Sequence, residues 1–332
     1  MKKSILIFLL LYMASIPLSA EDTQKGLGQG GNKKEEIVKY KPRVVYNTNA
    51  YRLYKYTEVE NVRRIYSDSS TKEYKRELTY FFTLTIFDKP ENGFQVVKIV
   101  IDSMLYKMTE GKNVYEFNSQ AEKIKPIKLK DLEVMSVPLN RQFDFTYSPY
   151  GEVAKIESPD IQETIDLIKE GDAKYGTQAK DELTNLVWFD GLSNNRLKHI
   201  TDLQKIIFAQ EPIAKDTIWN SPFSIQIDGK DFIDTVESKI VEYNNGSYTI
   251  DSKTKNITPI SKDSYFYGVV KPAKIESAKG DGFYIIQINP RGIISKVDAE
   301  FIIESSCKVR FEPFTEQVQS KFTWEYLGQF KL

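Results

Sequence analysis

Residues 78–87 read Leu-Thr-Tyr-Phe-Phe-Thr-Leu-Thr-Ile-Phe. Tyr80, Phe82, Leu84 and Ile86 share one face with Leu78, while Thr79, Thr83 and Thr85 take the other with Phe81 and Phe87. A period of two in β-branched and aromatic residues specifies a strand buried on one face and partly covered on the other. The turn Lys89-Pro90-Glu91-Asn92-Gly93 leads into FQVVKIVID, a second run of strand character, so the two make a long hairpin.

Working outward, strand signals recur at Val114 to Phe117 and at Phe143 to Tyr147. The latter is followed by the turn Ser148-Pro149-Tyr150-Gly151 and the strand-like EVAKIES. Ser158 and Pro159 then supply an N-cap and a first helical residue, with Ile161, Ile165 and Ile168 at helical spacing. A second helical run carries Leu183, Leu186 and Val187, and a third, started by Ser193, aligns Leu197, Ile200, Leu203 and Ile207. Strand patterning returns with Trp219, Phe223, Ile225 and Ile227 before Asp228-Gly229. It continues through the hairpin at Tyr243-Asn244-Asn245-Gly246 and ends in VQSKFTWEY, where Val318, Ser320, Phe322, Trp324 and Tyr326 alternate with polar residues.

The segment Ser148 to Glu157 lies over Asn289 to Asp298 without a gap, with Pro, Gly and Lys coincident. Each copy follows an alternating strand, and each has an Asn-Gly turn upstream, at Asn92-Gly93 and Asn245-Gly246. The expected architecture is therefore α+β but mainly β. Two related antiparallel β units, each a curved sheet or half-open barrel, span 40–158 and 213–332 and are joined by a helical segment over 159–212.

With the hairpin Tyr147-Ser148-Pro149-Tyr150-Gly151-Glu152-Val153 and the stretch Lys215-Asp216-Thr217-Ile218-Trp219, the chain resembles a family of bacterial exported proteins known only as a domain of unknown function. That family usually has Gly where Lys215 stands. The resemblance spans most of the mature chain and implies an exported protein with paired β-rich halves. It implies no activity and carries over no site residue.

Residues 1–20 open with Lys2 and Lys3, run apolar from Ile5 to Ala14, and end in Pro17 and the pair Ser19-Ala20. This is the layout of a secretory signal peptide, with cleavage expected after Ala20. No cysteine follows to carry a lipid, so the expectation is a soluble periplasmic or extracellular protein and not a lipoprotein, with no membrane span after cleavage. The alternative is a leader retained as an anchor. Residues 21–39 are polar and glycine-rich and read as a flexible tether. Within them Gly26, Gly28 and Gly31 match the letters of a dinucleotide fingerprint without the strand and helix that make it work.

The 332 residues hold 46 basic and 46 acidic side chains, one His and one Cys. Near-neutrality provides no field to gather nucleic acid; the cluster Lys72 to Glu77 carries compensating acids, and its neighbours SDSSTKEY, residues 67–74, read as a solvated loop. A lone Cys307 excludes an intramolecular disulfide and a cysteine-based zinc cluster. It reads as a small core residue. His199 is expected on a helix surface, because Ser193 in GLSNN lacks the last Gly of a nucleophile elbow and no serine is marked as its partner. No cofactor or metal is implied.

The 20 Tyr, 19 Phe and 3 Trp alternate on many strands, which first of all suits cross-strand packing. They also suit a concave face holding an apolar ligand, with Trp188, Phe189 and Trp219 as candidates for its mouth. The leading expectation is an exported, non-enzymatic binding or carrier module for an apolar small molecule, a lipid or a partner protein of the envelope. Its alternatives are an envelope scaffold without a pocket and a carboxylate-based hydrolase. Ligand identity and oligomeric state are not legible.

Overall fold

A computed structural model of the protein describes residues 37–46, 49–86, 92–121, 129–158, 162, 163, 166, 191–260, 263, 264, 273–309 and 311–331. The expected cleavage site at Ala20 and the aromatic pair Trp188 and Phe189 lie outside these residues.

The first half supplies β1 (Lys39–Tyr40), β2 (Ala50–Tyr66), β3 (Thr71–Ile86), β4 (Gln95–Glu110), β5 (Asn113–Asn118), helix α1 (Lys130–Ser136), β6 (Gln142–Tyr147) and β7 (Val153–Glu157). Helix α2 (Asn194–Thr201) follows. The second half supplies β8 (Ile213–Ala214), β9 (Trp219–Ile227), β10 (Lys230–Asn244), β11 (Ser247–Lys253), β12 (Thr258–Pro259), β13 (Asp263–Ser264), β14 (Ala273–Ile288), β15 (Ile294–Val309) and β16 (Glu312–Lys331). The mainly-β expectation holds. Leu78, Tyr80, Phe82, Leu84 and Ile86 are all buried on β3, as their alternation predicts.

Within Val38–Leu332 both halves build one sheet. In hydrogen-bonded order it runs β9, β10, β11, β14, β15, β16, β2, β3, β4, β6, β7, with β12 beside β10, β13 beside β14 and β5 beside β4. The halves meet where β16 pairs with β2, from Phe314–Tyr66 to Lys331–Ala50. Strands β1 and β8 form a separate two-stranded ribbon.

The two hairpins aligned in sequence are alike atom by atom. In the first, Ser148 N–H donates to Glu152 O at 2.8 Å and Gly151 N–H to Ser148 O at 2.9 Å; in the second, Asn289 N–H donates to Ile293 O and Gly292 N–H to Asn289 O, both at 2.9 Å. The Ser148 hydroxyl and the Asn289 side-chain oxygen each accept from the backbone N–H groups two and four residues on. Gly151 and Gly292 close the turns at φ +84° and +73°, and a bulge precedes each turn. The Asn92-Gly93 and Asn245-Gly246 turns have positive φ at both residues, and each glycine faces the proline of its own half, Pro149 or Pro290.

The sheet is rolled and open. Six hydrogen-bonded steps separate β10 from β3, roughly 29 Å if the sheet were flat at about 4.8 Å per step. Yet Tyr74 of β3 donates its hydroxyl to Asp228, in the turn before β10, at 2.7 Å. Every neighbouring pair along this order is antiparallel, so the terminal strands of eleven, β9 and β7, run in the same direction. They cannot close the ring by antiparallel pairing.

Helix α2 and the chain after it pack onto the concave side. Ser193 caps α2 as expected, accepting from Arg196 N–H. The helix ends at Thr201 and does not continue to Ile207, because Asp202 turns extended and its carboxylate accepts from Gln204 N–H at 3.1 Å. Trp324 donates to Ile200 O and Tyr284 to Leu203 O, both at 2.7 Å, which ties this segment to the far wall. Gln204 reaches Tyr150 O beside β7, and Ile207 N–H reaches the Ser221 hydroxyl on β9. Side chains therefore bridge the seam at this end. The outer face carries ion pairs such as Lys55–Glu325, Arg63–Glu73 and Lys321–Glu300.

A buried ionic cluster as candidate functional site

Strand β2 continues its inward alternation from Tyr54 and Tyr56 through Glu58, Glu60, Val62 and Arg64. Three of these six positions are aromatic or apolar and three are charged. Register brings Arg76 of β3 opposite Glu60 and Ser320 of β16 on its other side. The rolled sheet adds Asp228 and Lys230 from the turn joining β9 and β10, Glu316 from β16, Asp131 from α1, and Arg196 and His199 from α2. Each is buried, and Glu60, Arg64, Lys230 and Glu316 have 0% exposure.

Arg76 is the hub. Its guanidinium binds Asp131 at 2.6 Å, Asp228 at 3.3 Å, Glu58 at 3.4 Å and also Glu60. Arg64 binds Glu316 at 2.6 Å and Asp228 at 3.4 Å, and Lys230 binds Glu316 and Asp228. Tyr106 donates to Asp131 at 2.7 Å, and Asp228 N–H donates to Glu60 at 2.8 Å. Buried charges persist only when paired in this way, since each isolated ion would cost several kcal/mol to desolvate (roughly).

His199 extends the cluster. Its Nδ1 accepts from Gln226 N–H at 3.4 Å, which leaves the proton on Nε2, 2.7 Å from the Tyr56 hydroxyl. Tyr56 in turn donates to Glu58 at 2.6 Å. Burial, with Lys205 and Arg196 nearby, pushes the imidazole down to about 3 against the pull of Glu58, so it is neutral. The expectation of a surface histidine is corrected. Helix α2 lies inside the roll with His199 against Tyr56, Phe322 and Trp324, a burial that helical spacing alone did not reveal.

Five carboxyl groups face four fixed cations, and the Glu58–Glu60 pair absorbs the mismatch. Burial works to raise both carboxyls. Arg196, His199 and Arg76 hold Glu58 far below the usual range, whereas Glu60, with Glu58 and Asp228 beside it, is pushed up in spite of Arg76. One proton shared within the pair brings the formal charges into balance. Asp228 is lowered to about 2, because Lys230, Arg76 and Arg64 outweigh its burial.

The expected solvated loop over residues 67–74 is corrected from Thr71 on, with only 67–70 forming a turn. Lys72 to Glu77 belong to β3, where Glu73 and Lys75 face outward and Tyr74 and Arg76 point inward. Glu58, Glu60 and Arg64 on β2 were not singled out by the sequence, and Arg76 on β3 was placed in a cluster balanced by its neighbouring acids. Their strict alternation with Tyr54, Tyr56, Leu78 and Tyr80 was the signal that could have found them. Cys307 is a core residue with 1% exposure, and burial pushes its thiol up to about 12. Trp219, half-buried at the start of β9, donates its indole N–H to Ile207 O at 2.9 Å.

Two described interior cavities are small. One of about 20 Å³ lies between α2, β9 and β10 beside His199, Lys205 and Gln226, and one of about 10 Å³ lies beside Tyr46, Tyr147 and Gln204. Outside the roll an open groove of about 900 Å³ crosses the ends of β2, β3 and β4, lined by Arg63, Glu73, Lys75 and Asn113 among others. A second groove, of about 380 Å³, lies over β3, β4 and β5. Among the described residues no group of three or more His, Cys, Asp and Glu is placed to hold a metal ion, and no helix is long and apolar enough to cross a membrane.

Fold and cluster together define a class: an open, rolled antiparallel sheet whose concave side is filled by a helix and an ion-paired core. No family model and no curated protein matches the chain, in keeping with its resemblance to a family without assigned activity. Among solved structures it is similar to Pseudomonas aeruginosa OpdQ, at 8% identity over 84% of this chain and 99% of that one, with a TM-score of 0.19. Acinetobacter baumannii OccAB4 is similar at 8% identity, 85% and 99% coverage and a TM-score of 0.19. A mutant porin of Rh. blastica is similar at 9% identity, 83% and 100% coverage and a TM-score of 0.17. Likeness at this level carries no argument about function. The outward face of the described strands carries ion pairs such as Lys55–Glu325, Arg63–Glu73 and Lys321–Glu300 beside exposed apolar residues such as Leu105 and Ile302.

Proposed function

We propose that this protein is an exported, non-catalytic binding module that engages a partner protein through its outer surface. One observation carries this reading: the described interior cavities measure about 20 and 10 Å³, while the grooves on the outer face measure about 900 and 380 Å³. Pockets for small apolar ligands usually hold about 300–1,000 Å³. The aromatic concave face that suggested a carrier is occupied by the chain itself, since Trp324 bonds to Ile200 O in α2 and Tyr284 to Leu203 O in the segment after it. Export rests on the leader at residues 1–20.

Glu58 and Glu60 meet part of the condition for a carboxylate hydrolase, being neighbouring acids pushed in opposite directions. They are closed from solvent and saturated by Arg76, Tyr56, Ser320 and Asp228 N–H, which favours a structural role. The test is native mass spectrometry of the exported chain together with crosslinking. The expected mass is that of the bare polypeptide or its multiples, and the paired reversal Arg63→Glu with Lys75→Glu removes a crosslinked partner without changing the melting temperature. An added mass released by organic extraction would restore the apolar carrier, and partner capture that survives both reversals would remove the groove as the site.

A further inference from the structure

A sheet edge offers unpaired backbone groups, and proteins guard edges with proline, charge or cover. Among the described strands longer than two residues three lie at an edge, and two of these are guarded. On β9, Pro222 has no N–H to offer, and the Gln226 N–H is taken by His199. On β7, Lys155 and Glu157 form an exposed ion pair at 2.5 Å.

The third edge, β5, carries a single charge, Glu116, which is already paired to Lys107 of β4 at 2.8 Å. It reads Asn-Val-Tyr-Glu-Phe-Asn, contains no proline or lysine, and pairs with β4 alone among the described strands. Val114 is 54% exposed and Tyr115 38%. The two-residue turn Gly111-Lys112, with Gly111 at φ +58°, makes Glu110 and Asn113 the closing hydrogen-bonded pair of the hairpin. Alternation from that pair turns the backbone groups of Tyr115 toward β4 and those of Val114, Glu116 and Asn118 toward the open side.

We propose that a second copy of this chain pairs antiparallel along β5 about a twofold axis at Tyr115, joining two rolled sheets edge to edge. Facing residues in an antiparallel pair share a face, so the axis must pass through a residue and not between two. At the centre of β5 only Tyr115 and Glu116 qualify, and an axis at Glu116 would set like charges opposite each other. The axis at Tyr115 places the two tyrosines together and sets Val114 opposite the partner's Glu116, in hydrogen-bonded pairs that use the free groups of both strands. Lys112 then lies diagonal to the partner's Glu116. The edge is self-complementary in shape, hydrogen bonding and charge.

The lone natural cysteine is buried, so an introduced thiol is the accessible one. Tyr115→Cys places two thiols across a non-hydrogen-bonded pair with Cα atoms about 4.5 Å apart, within disulfide reach. The full chain carrying this change is expected to oxidise to a covalent dimer with copper phenanthroline. Glu116→Cys alone is expected to stay monomeric, and Glu116→Cys mixed with Val114→Cys to crosslink as a heterodimer. Native mass spectrometry of the unmodified chain is expected to show a dimer that Val114→Pro abolishes without altering the melt, since that N–H points away from β4. Equal crosslinking at Tyr115→Cys and Glu116→Cys would overturn the proposal. So would a monomer at tens of micromolar, including one whose β5 amides are protected from exchange by some other segment.

Discussion

At the scale of single residues, the interior depends on Arg76. Replacing it with Met leaves Asp131, Glu58, Glu60 and Asp228 facing one another without their shared cation. Removing one partner of a buried ion pair typically costs about 3–5 kcal/mol, so Arg76→Met is expected to lower the urea midpoint sharply or prevent folding. Lys107→Met, which breaks the exposed Lys107–Glu116 pair, is expected to leave the midpoint unchanged. Equal effects of the two changes would show that the buried network contributes little. His199 gives a pH signature. Its folded value, about 3, lies below that of the unfolded chain, so the unfolded state takes up the proton first as pH falls. Relative to His199→Gln, the protein is expected to lose about 1.4 kcal/mol of stability per pH unit from roughly pH 6.5 down toward pH 3. The difference between the two proteins is the useful readout, because the raised carboxyl of Glu60 works in the opposite sense. Parallel stability curves would mean that His199 is protonated in the fold.

At the scale of elements, the twin turns at Ser148 and Asn289 have the same hydrogen bonds and the same left-handed glycine. A β-carbon on Gly292 would lie 2.5 Å from Val45 Cγ2, and one on Gly151 would strike the movable end of Gln204. Gly292→Ala is therefore expected to destabilise by about 1–2 kcal/mol, with Gly151→Ala costing less because Gln204 can swing aside. Chemical denaturation reads both, and the reverse order would contradict the packing described at the two turns. These hairpins were legible in the sequence because a Pro-x-Gly turn between alternating strands is a local instruction. Helix α1 was not, since seven residues are too few to show a helical period, and its place is set by Asp131 reaching Arg76 and by Met135 O accepting from Tyr80.

At the scale of the molecule, the two β-rich halves do not form two independent bodies. The β16–β2 ladder is among the longest in the sheet, and residues of both halves share one apolar core with α2. A single cooperative unfolding transition is expected, coincident by far-ultraviolet circular dichroism and by tryptophan fluorescence. Two separated transitions would show that each half holds its own core. With eleven strands in an antiparallel order the terminal strands cannot close the ring by antiparallel pairing, and among the described residues the seam is bridged by side chains of the segment after α2 and of β9.

Period and turn are local properties, and the sequence by itself determined them: the strands from Leu78 to Ile86 and from Val318 to Trp324, the Asn-Gly and Pro-x-Gly hairpins, the Ser193 cap and the burial of Cys307. Tertiary structure decided what local pattern cannot encode. Glu58, Glu60, Arg64 and Arg76 look like solvent-facing charge until strands distant in sequence bring Asp228, Lys230, Glu316 and Asp131 within hydrogen-bonding distance. A charge is buried only when its partners arrive with it, and those partners lie up to 252 positions away, as with Arg64 and Glu316. His199 followed the same rule, since the water it would otherwise face is replaced by Tyr56 and the aromatic wall of β16.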